Sequence, residues 1–476
     1  MKRAYFALTF LLITRLVAMY FVPLNETTEA RYGEIARKML ETGNWVTLLH
    51  DYNIPFLAKP PLSTWLSAGF MGVFGVNELA VRFPSLLLSV GILALIGYTA
   101  YVRSGCDAAM TAILVLASSF GFFVAAGTVM TDPALVFCMT LIMVAFWHAM
   151  SRESKLWGYL FFIGCGFGLL TKGPVALVLT GIPIFLWVLK RKQWEALWRR
   201  LPWISGCALM LAITLPWYLL AEQRTPGFLQ YFIIGENISR FLDPHWKGDQ
   251  YGFAHAYPRG MIWLFTLMGL FPWCLITFGW ILGQRRRYAE LWKDADGWLL
   301  YIVLWAATTP VFFMFSANII WTYCLMMIPG FSLLFTEIWM RSGKSDVSRF
   351  FPAIASVTGF MAVVVIAAFA FYPAEVAQSQ KDVIAAWQAE KPAPYSDLLF
   401  WGKRMEFSAA FYSGGRAKST EDPKEAYKLL HNQTHDYIVV NDKGLGSLPR
   451  RVRQKFKVVG RYTNKRGVRL LLREAP

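Results

Sequence analysis

Glu26 and Glu29 lie three residues apart in the stretch N-E-T-T-E-A-R-Y-G-E-I-A-R, which runs from Asn25 to Arg37. Carboxylates at that spacing can share a helix face, where either one could take or orient a proton. Arg31 follows the two acids closely, and Lys59 opens K-P-P-L-S-T-W. A lysine held by rigid Pro-Pro backbone near a membrane surface suits a phosphate. Asp132 in T-D-P and Lys172 in T-K-G-P add one charge of each sign at the ends of apolar runs. A charge at a hydrocarbon boundary is costly unless it reaches water or a partner, so these two would either pair or contact a substrate. Plainer readings exist for the others: acids suit a helix N-terminus, and a lysine near a membrane snorkels.

The elements that must position these groups are membrane spans. Hydrophobic residues make up 56% of the 476-residue chain and charged residues 16%, against about 25% charged in a soluble domain. Apolar segments occupy 4–24, 82–102, 108–126, 132–150, 157–171, 174–190, 201–221, 260–283, 298–316, 319–339 and 351–372, which predicts about eleven spans. The run at 62–76 is shorter and carries Gly69, Gly72 and Gly75, so it reads as an interfacial or re-entrant helix. Charge supports that reading. With 62–76 on the surface, the short loops S-R-E-S-K, K-R-K-Q-W-E-A-L-W-R-R, Q-R-R-R and R-S-G-K-S-D all fall on one side, and their Lys/Arg content makes that side cytoplasmic. The N-terminus would be cytoplasmic too. The polar residues Glu26, Glu29, Arg31, Lys59, Asp132, Lys172, Glu222, Glu236, Asp243, His245 and Tyr323 then face outward and could line one cavity. The first apolar segment has no small-x-small cleavage site and reads as a retained anchor. Arg15 lies in the middle of it and needs a partner.

From about residue 377 the apolar runs shorten to strand length, at 436–440, 456–462 and 468–473, with a capped helix over Asp422 to Asn432 between them. These predict a small α/β domain over 377–476 outside the membrane, following a helical membrane domain over 1–372. The tail holds 19 Lys/Arg and 10 Asp/Glu, so it is either a solvated basic face near headgroups or a dock for an anionic lipid or polymer. The six cysteines and six histidines show no metal-ligand spacing. G-C-G-F-G at 164–168 lies inside an apolar span, where glycines serve helix packing and not a nucleotide loop.

Taken in order, T-E-A-R-Y-G-E-I-A-R-K-M-L-E-T-G-N-W, K-P-P-L-S-T-W, T-D-P and L-T-K-G-P resemble the membrane glycosyltransferases of the GT-C class. The nearest branch is that of the aminoarabinose transferases acting on lipid A, related to the protein O-mannosyltransferases. The resemblance implies a mainly α, polytopic fold and an outward-facing site in a bacterial inner membrane. It implies a polyprenyl-phosphate sugar donor, an anionic lipid or glycan acceptor, and no nucleic acid. It assigns an acid of the first loop to the acceptor, Lys59 to the donor phosphate, and His245, Lys247 and Tyr323 to the donor cavity. Two positions depart from the family pattern. Thr28 replaces the usual Asp, leaving Glu26 or Glu29 as the acid, and Ala58 replaces a metal-ligating Glu, so a divalent metal stays open without that ligand and no other cofactor is assigned. The chemistry expected is direct displacement at the anomeric carbon, with Lys59 and either Arg31 or Lys172 stabilising the leaving phosphate. A lipid-linked sugar flippase, or a non-catalytic relative of the same fold, are the alternatives. A flippase predicts internal repeats and charges at the midplane, and the sequence shows no half-to-half repeat.

Overall fold

The computed structural model describes residues 2–243, 246–252, 257–283, 294–316, 318–342, 347–430 and 435–475. Each of the eleven apolar segments is helical over most of its described length. In order, the first helices are α1 (Lys2–Phe21), α2 (Thr28–Thr42), α3 (Leu62–Phe74), α4 (Glu78–Ser118), α5 (Phe120–Ala125), α6 (Asp132–Arg152), α7 (Lys155–Lys172) and α8 (Val175–Arg191). Segment 82–102 and the first part of 108–126 share α4, whose backbone leaves helical geometry at Ser104 and Gly105, and α5 carries the rest of the second segment. Among the described residues, six helices are long and apolar enough to cross a membrane, and Met261–Leu270 with Trp273–Trp280 forms a bent pair at 97°. The remaining segments lie on shorter helices: α7 with 18 residues, α8 with 17 and Trp298–Phe313 with 16. In hydrocarbon a helix satisfies its own backbone, which is why uninterrupted apolar sequence becomes helix here. At 1.5 Å per residue the 13 residues of α3 reach roughly 20 Å, short of a ~30 Å hydrocarbon core.

The chain divides into two compact units. The first comprises Met1–Leu16, Asn44–Leu66 and Arg82–Ala362. The second joins Val17–Gly43 and Ser67–Val81 to Val363–Pro476. The first loop is therefore split between the units, a partition that a single boundary near residue 372 does not contain.

In the first unit α6 is the central helix, and 89% of its most apolar stretch is buried. Trp147 on α6 meets Trp298 at 4.6 Å between ring centroids, and Phe146 stacks on Tyr301 at 5.8 Å. The glycines of α7 serve packing. A Cβ on Gly164 would lie 2.9 Å from Ile142, and one on Gly168 would lie 2.9 Å from Ala176. Arg15 has its partners: Nη2 donates to the Val124 carbonyl at 2.7 Å and to Thr128 Oγ1 at 3.2 Å. The short hairpin β1 (Leu49–Asp51) and β2 (Ile54–Pro55) also belongs to this unit.

The second unit carries, among the described residues, a five-stranded sheet of order β4-β3-β5-β7-β6. Its strands are β3 (Leu398–Trp401), β4 (Ala417–Thr420), β5 (Tyr437–Asn441), β6 (Phe456–Asn464) and β7 (Gly467–Glu474). β3 pairs parallel with both β4 and β5, while β7 pairs antiparallel with β5 and β6. Period-two alternation gives each face its own core. Leu398, Phe400, Tyr437 and Val439 pack with Ile384 and Trp387 on one face. Leu399, Trp401, Ile438 and Val440 pack with Ala426 and Val452 on the other. The helix expected after Asp422 is Pro423–Lys428, capped by the Asp422 carboxylate accepting from Lys424 N–H.

Candidate active site

The first unit contains a cavity of about 330 Å³ whose lining is polar on one part and apolar on the rest. Among the described residues, its charged lining is Lys59, Lys172, Arg240 and Glu236. Phe232, Phe241, Phe312, Phe313 and Met326 supply much of the apolar wall. Lys59 arrives from the chain that follows β2. Tyr251 fixes that stretch, its hydroxyl donating to the Pro55 carbonyl at 2.8 Å and accepting from Leu57 N–H at 3.3 Å. Lys59 Nζ then reaches Glu236 Oε2 at 2.7 Å. Arg240, one turn beyond Glu236, donates to the same carboxylate at 3.1 Å, and its Nη2 lies 3.4 Å from Asp249. Burial alone would raise the Glu236 carboxyl, but Lys59 and Arg240 outweigh it and hold it below the usual range.

Lys172 ends α7 and Asp132 begins α6, each at the helix end its charge favours. Lys172 Nζ lies 2.7 Å from Asp132 Oδ1 and 5.1 Å above the Tyr323 ring. Tyr323 in turn stacks on Phe313 at 4.1 Å. Lys172 and Tyr323 line the cavity, and Asp132 stands behind Lys172. Gly173 caps α7 at φ 74, where a Cβ would come within 2.6 Å of Phe232. The T-K-G-P turn thus needs glycine both for its backbone and for the ring packed against it. Each cation of the cavity faces a carboxylate, so an anionic head group would have to share them, and the apolar wall suits a hydrocarbon tail.

Glu26, Glu29 and Arg31 belong to the second unit. The Glu26 carboxylate is buried and accepts from Ser408 N–H, while its Oε2 has no hydrogen-bond partner among the described residues. Burial, and then the nearby Glu406 charge, push Glu26 up to about 7. The backbone around it is pinned by Glu26 N–H donating to the Gln378 carbonyl at 2.9 Å and Leu24 N–H donating to Tyr412 Oη at 2.8 Å. Glu29 sits in the first turn of α2, where its Oε2 accepts from Asn25 N–H at 3.5 Å. Arg31 lies over the Tyr32 ring at 5.5 Å. Glu34, Arg37 and Glu41 form an ion-paired row along the same helix.

The other expected residues divide. Lys247 is exposed, and His245 lies outside the described residues. Glu222 caps a turn, accepting from Gly227 and Leu229 N–H. Ala58 is buried and offers no donor. Among the described residues no group of three or more His, Cys, Asp or Glu could hold a metal. Arg240 was not anticipated; its i,i+4 spacing from Glu236 on the same segment was the available signal.

The family model for dolichyl-phosphate-mannose-protein mannosyltransferase matches residues 4–232. An undecaprenyl phosphate-α-4-amino-4-deoxy-L-arabinose arabinosyl transferase of Pseudomonas fluorescens is 32% identical over 353 residues, covering 70% of this chain and 58% of that protein. The corresponding transferase of Edwardsiella ictaluri is 29% identical over 337 residues, covering 68% of this chain and 58% of that protein. The matched part thus spans 58% of the length of both curated relatives. Among solved structures, ArnT from Cupriavidus metallidurans bound to undecaprenyl phosphate superposes with a TM-score of 0.78 at 19% identity, covering 99% of this chain and 98% of that one. At that identity the likeness shows a shared fold.

Proposed function

We propose that this chain, a GT-C-type multi-pass membrane protein similar to the aminoarabinose transferases, moves a sugar from a polyprenyl-phosphate donor to an anionic lipid of the lipid A kind. The observation that carries this reading is the cavity in which Lys59, Lys172 and Arg240 stand beside a wall of Phe and Met side chains. A donor phosphate sits among the cations and the first prenyl units lie along the apolar wall. Protein of this type works in a bacterial inner membrane, with the Lys/Arg-rich loops in the cytoplasm and the α/β unit outside.

The acceptor oxygen attacks the anomeric carbon while the bond from that carbon to the phosphate oxygen breaks. The bonding electrons leave on the polyprenyl phosphate, which gains one negative charge. Lys59 stabilises that charge together with Lys172, the partner that lines the same cavity. The acceptor proton goes to a first-loop carboxylate, which we assign as Glu26. What supports Glu26 is a buried carboxyl pushed up to about 7 and an oxygen with no hydrogen-bond partner among the described residues. Glu29, in the first turn of α2, acts as a helix-end partner for Asn25 N–H.

Reconstituted protein, a polyprenyl-phosphate-linked sugar and purified lipid A test the reading directly. The expected result is a lipid A mass increase of one sugar unit by mass spectrometry. Movement of the donor across the bilayer with no acceptor product would replace this reading with lipid-linked sugar transport.

A further inference from the structure

The second unit holds its own cavity, about 520 Å³ in volume, which shares no residue with the one around Lys59. Its position follows from the sheet. The helix Phe407–Tyr412, which leaves β3, packs on one face, where Ala409 joins Leu398 and Phe400. The segment that leaves β5 packs on the opposite face, where Leu448 and Val452 join Leu399 and Trp401. β3 and β5 are adjacent and parallel. Loops that leave neighbouring parallel strands toward opposite faces open a crevice at the strands' carboxyl ends, the usual ligand position in such sheets. The cavity lies there, lined by Trp401 at the end of β3 and Gly402, Lys403 and Arg404 after it, and by Asn441 at the end of β5 with Gly444 and Ser447 beyond it.

Its charge is unbalanced. Among the described residues, Lys403, Arg404, Arg466 and Arg469 line it against Glu406 and Glu421. Glu406 is already engaged, accepting from Arg469 at 2.7 Å, Arg466 at 3.2 Å and Gln380 at 3.2 Å. Arg469 Nε is buried with no acceptor among the described residues. Burial and the neighbouring Arg404 and Arg469 charges lower the proton affinity of Arg466 in spite of Glu406. A surplus of two positive charges matches a phosphate monoester, which carries about −1.5 to −2 near neutrality, better than a carboxylate. Guanidinium forks fit phosphate oxygens in pairs. The volume leaves room for more than a bare ion.

We propose that this crevice is a binding site for a phosphate monoester carried on a sugar or glycerol head group. Arg404 and Arg466 also donate to Thr27 Oγ1, at 2.7 and 3.5 Å. The site therefore borders the segment that carries Glu26. It needs no sugar transfer to operate.

Calorimetry on the detergent-solubilised full chain tests this with three probes: glucosamine 1-phosphate, dihexanoyl phosphatidic acid and unphosphorylated glucosamine. Wild type should bind at least one phosphorylated probe and not glucosamine. Lys403 and Arg404 are exposed, so Lys403→Gln/Arg404→Gln should keep its melting temperature and lose at least about tenfold in affinity. Glu421→Gln, also at an exposed position, should tighten binding by about threefold. Lys59→Gln should change affinity by less than about twofold, because it alters the other cavity. Binding of the sugar phosphate alone identifies a soluble ligand, and binding of the phosphatidic acid alone identifies a lipid head group. Absence of binding to both, equal affinity in every variant, or loss confined to Lys59→Gln overturns the proposal.

Discussion

Lys59 and Glu236 are 177 residues apart in the chain, and their charged atoms meet at 2.7 Å. Glu236 also holds Arg240, so one carboxylate orients two cations of the Lys59 cavity. Removing Lys59 leaves Glu236 paired with Arg240, and the fold should persist. Lys59→Gln should therefore lower kcat/KM for transfer from a polyprenyl-phosphate sugar. One charge-assisted hydrogen bond is worth about 2 kcal/mol, or about thirtyfold in rate. Steady-state kinetics beside a melting curve checks both parts.

Asp132 and Lys172 form a buried pair, and breaking such a pair from one side leaves a stranded charge. Asp132→Asn and Lys172→Met should each destabilise the protein by about 3–5 kcal/mol. The double variant should recover most of the lost thermal stability. Its transfer activity should stay low, because Lys172 lines the cavity and Asp132 stands behind it. Recovery of activity together with stability would assign the pair a structural role only.

Glu26 gives the protein a pH dependence. Its carboxyl is pushed from 4.5 up to about 7 by burial and by Glu406, so between those values the folded state holds more protons than the unfolded chain. The stability this provides is fully present below about pH 4.5 and is lost as the pH rises through about 7, a change on the order of 3 kcal/mol. Melting temperature should fall from pH 5 to pH 8 in the wild type and stay flatter in Glu26→Gln. The same variant should be more stable at pH 8 and inactive in transfer, the exchange expected when a strained functional group is neutralised.

Gly173 tests the wall of the cavity. A methyl group there meets Phe232 at 2.6 Å from a backbone with φ 74. Gly173→Ala should cost about 1–3 kcal/mol and displace Phe232, which lines the cavity. The readouts are a lower melting temperature and a raised KM for the lipid-linked donor. An unchanged KM would remove Phe232 from the donor site.

The apolar segments were legible because hydropathy is a local property: about twenty apolar residues in a row become helix in hydrocarbon whatever lies elsewhere in the chain. Three of the five described strands in the second unit's sheet were legible too, since β5, β6 and β7 alternate or run apolar over several residues. β4 reads A-K-S-T and carries no such pattern; only its pairing with β3 makes it a strand. Lys59, Lys172 and Tyr323 were identified one at a time by residue type and position.

Their assembly was not legible, because contact between distant residues leaves no local trace. Arg15 shows a buried charge in the sequence, but its acceptors Val124 and Thr128 lie more than a hundred residues away. Arg240 looks like an ordinary helix cation until Glu236 and Asp249 enclose it. Glu26 and Lys59 lie in one loop of the sequence but in different compact units, since packing follows buried area and not chain proximity. The sequence by itself determined the membrane helices, the α/β tail and the inventory of charged groups, through composition and periodicity. Tertiary structure alone decided which charges pair, which carboxylate is buried enough to hold its proton near neutrality, and where the tail's arginines converge, because each depends on distances that only folding sets.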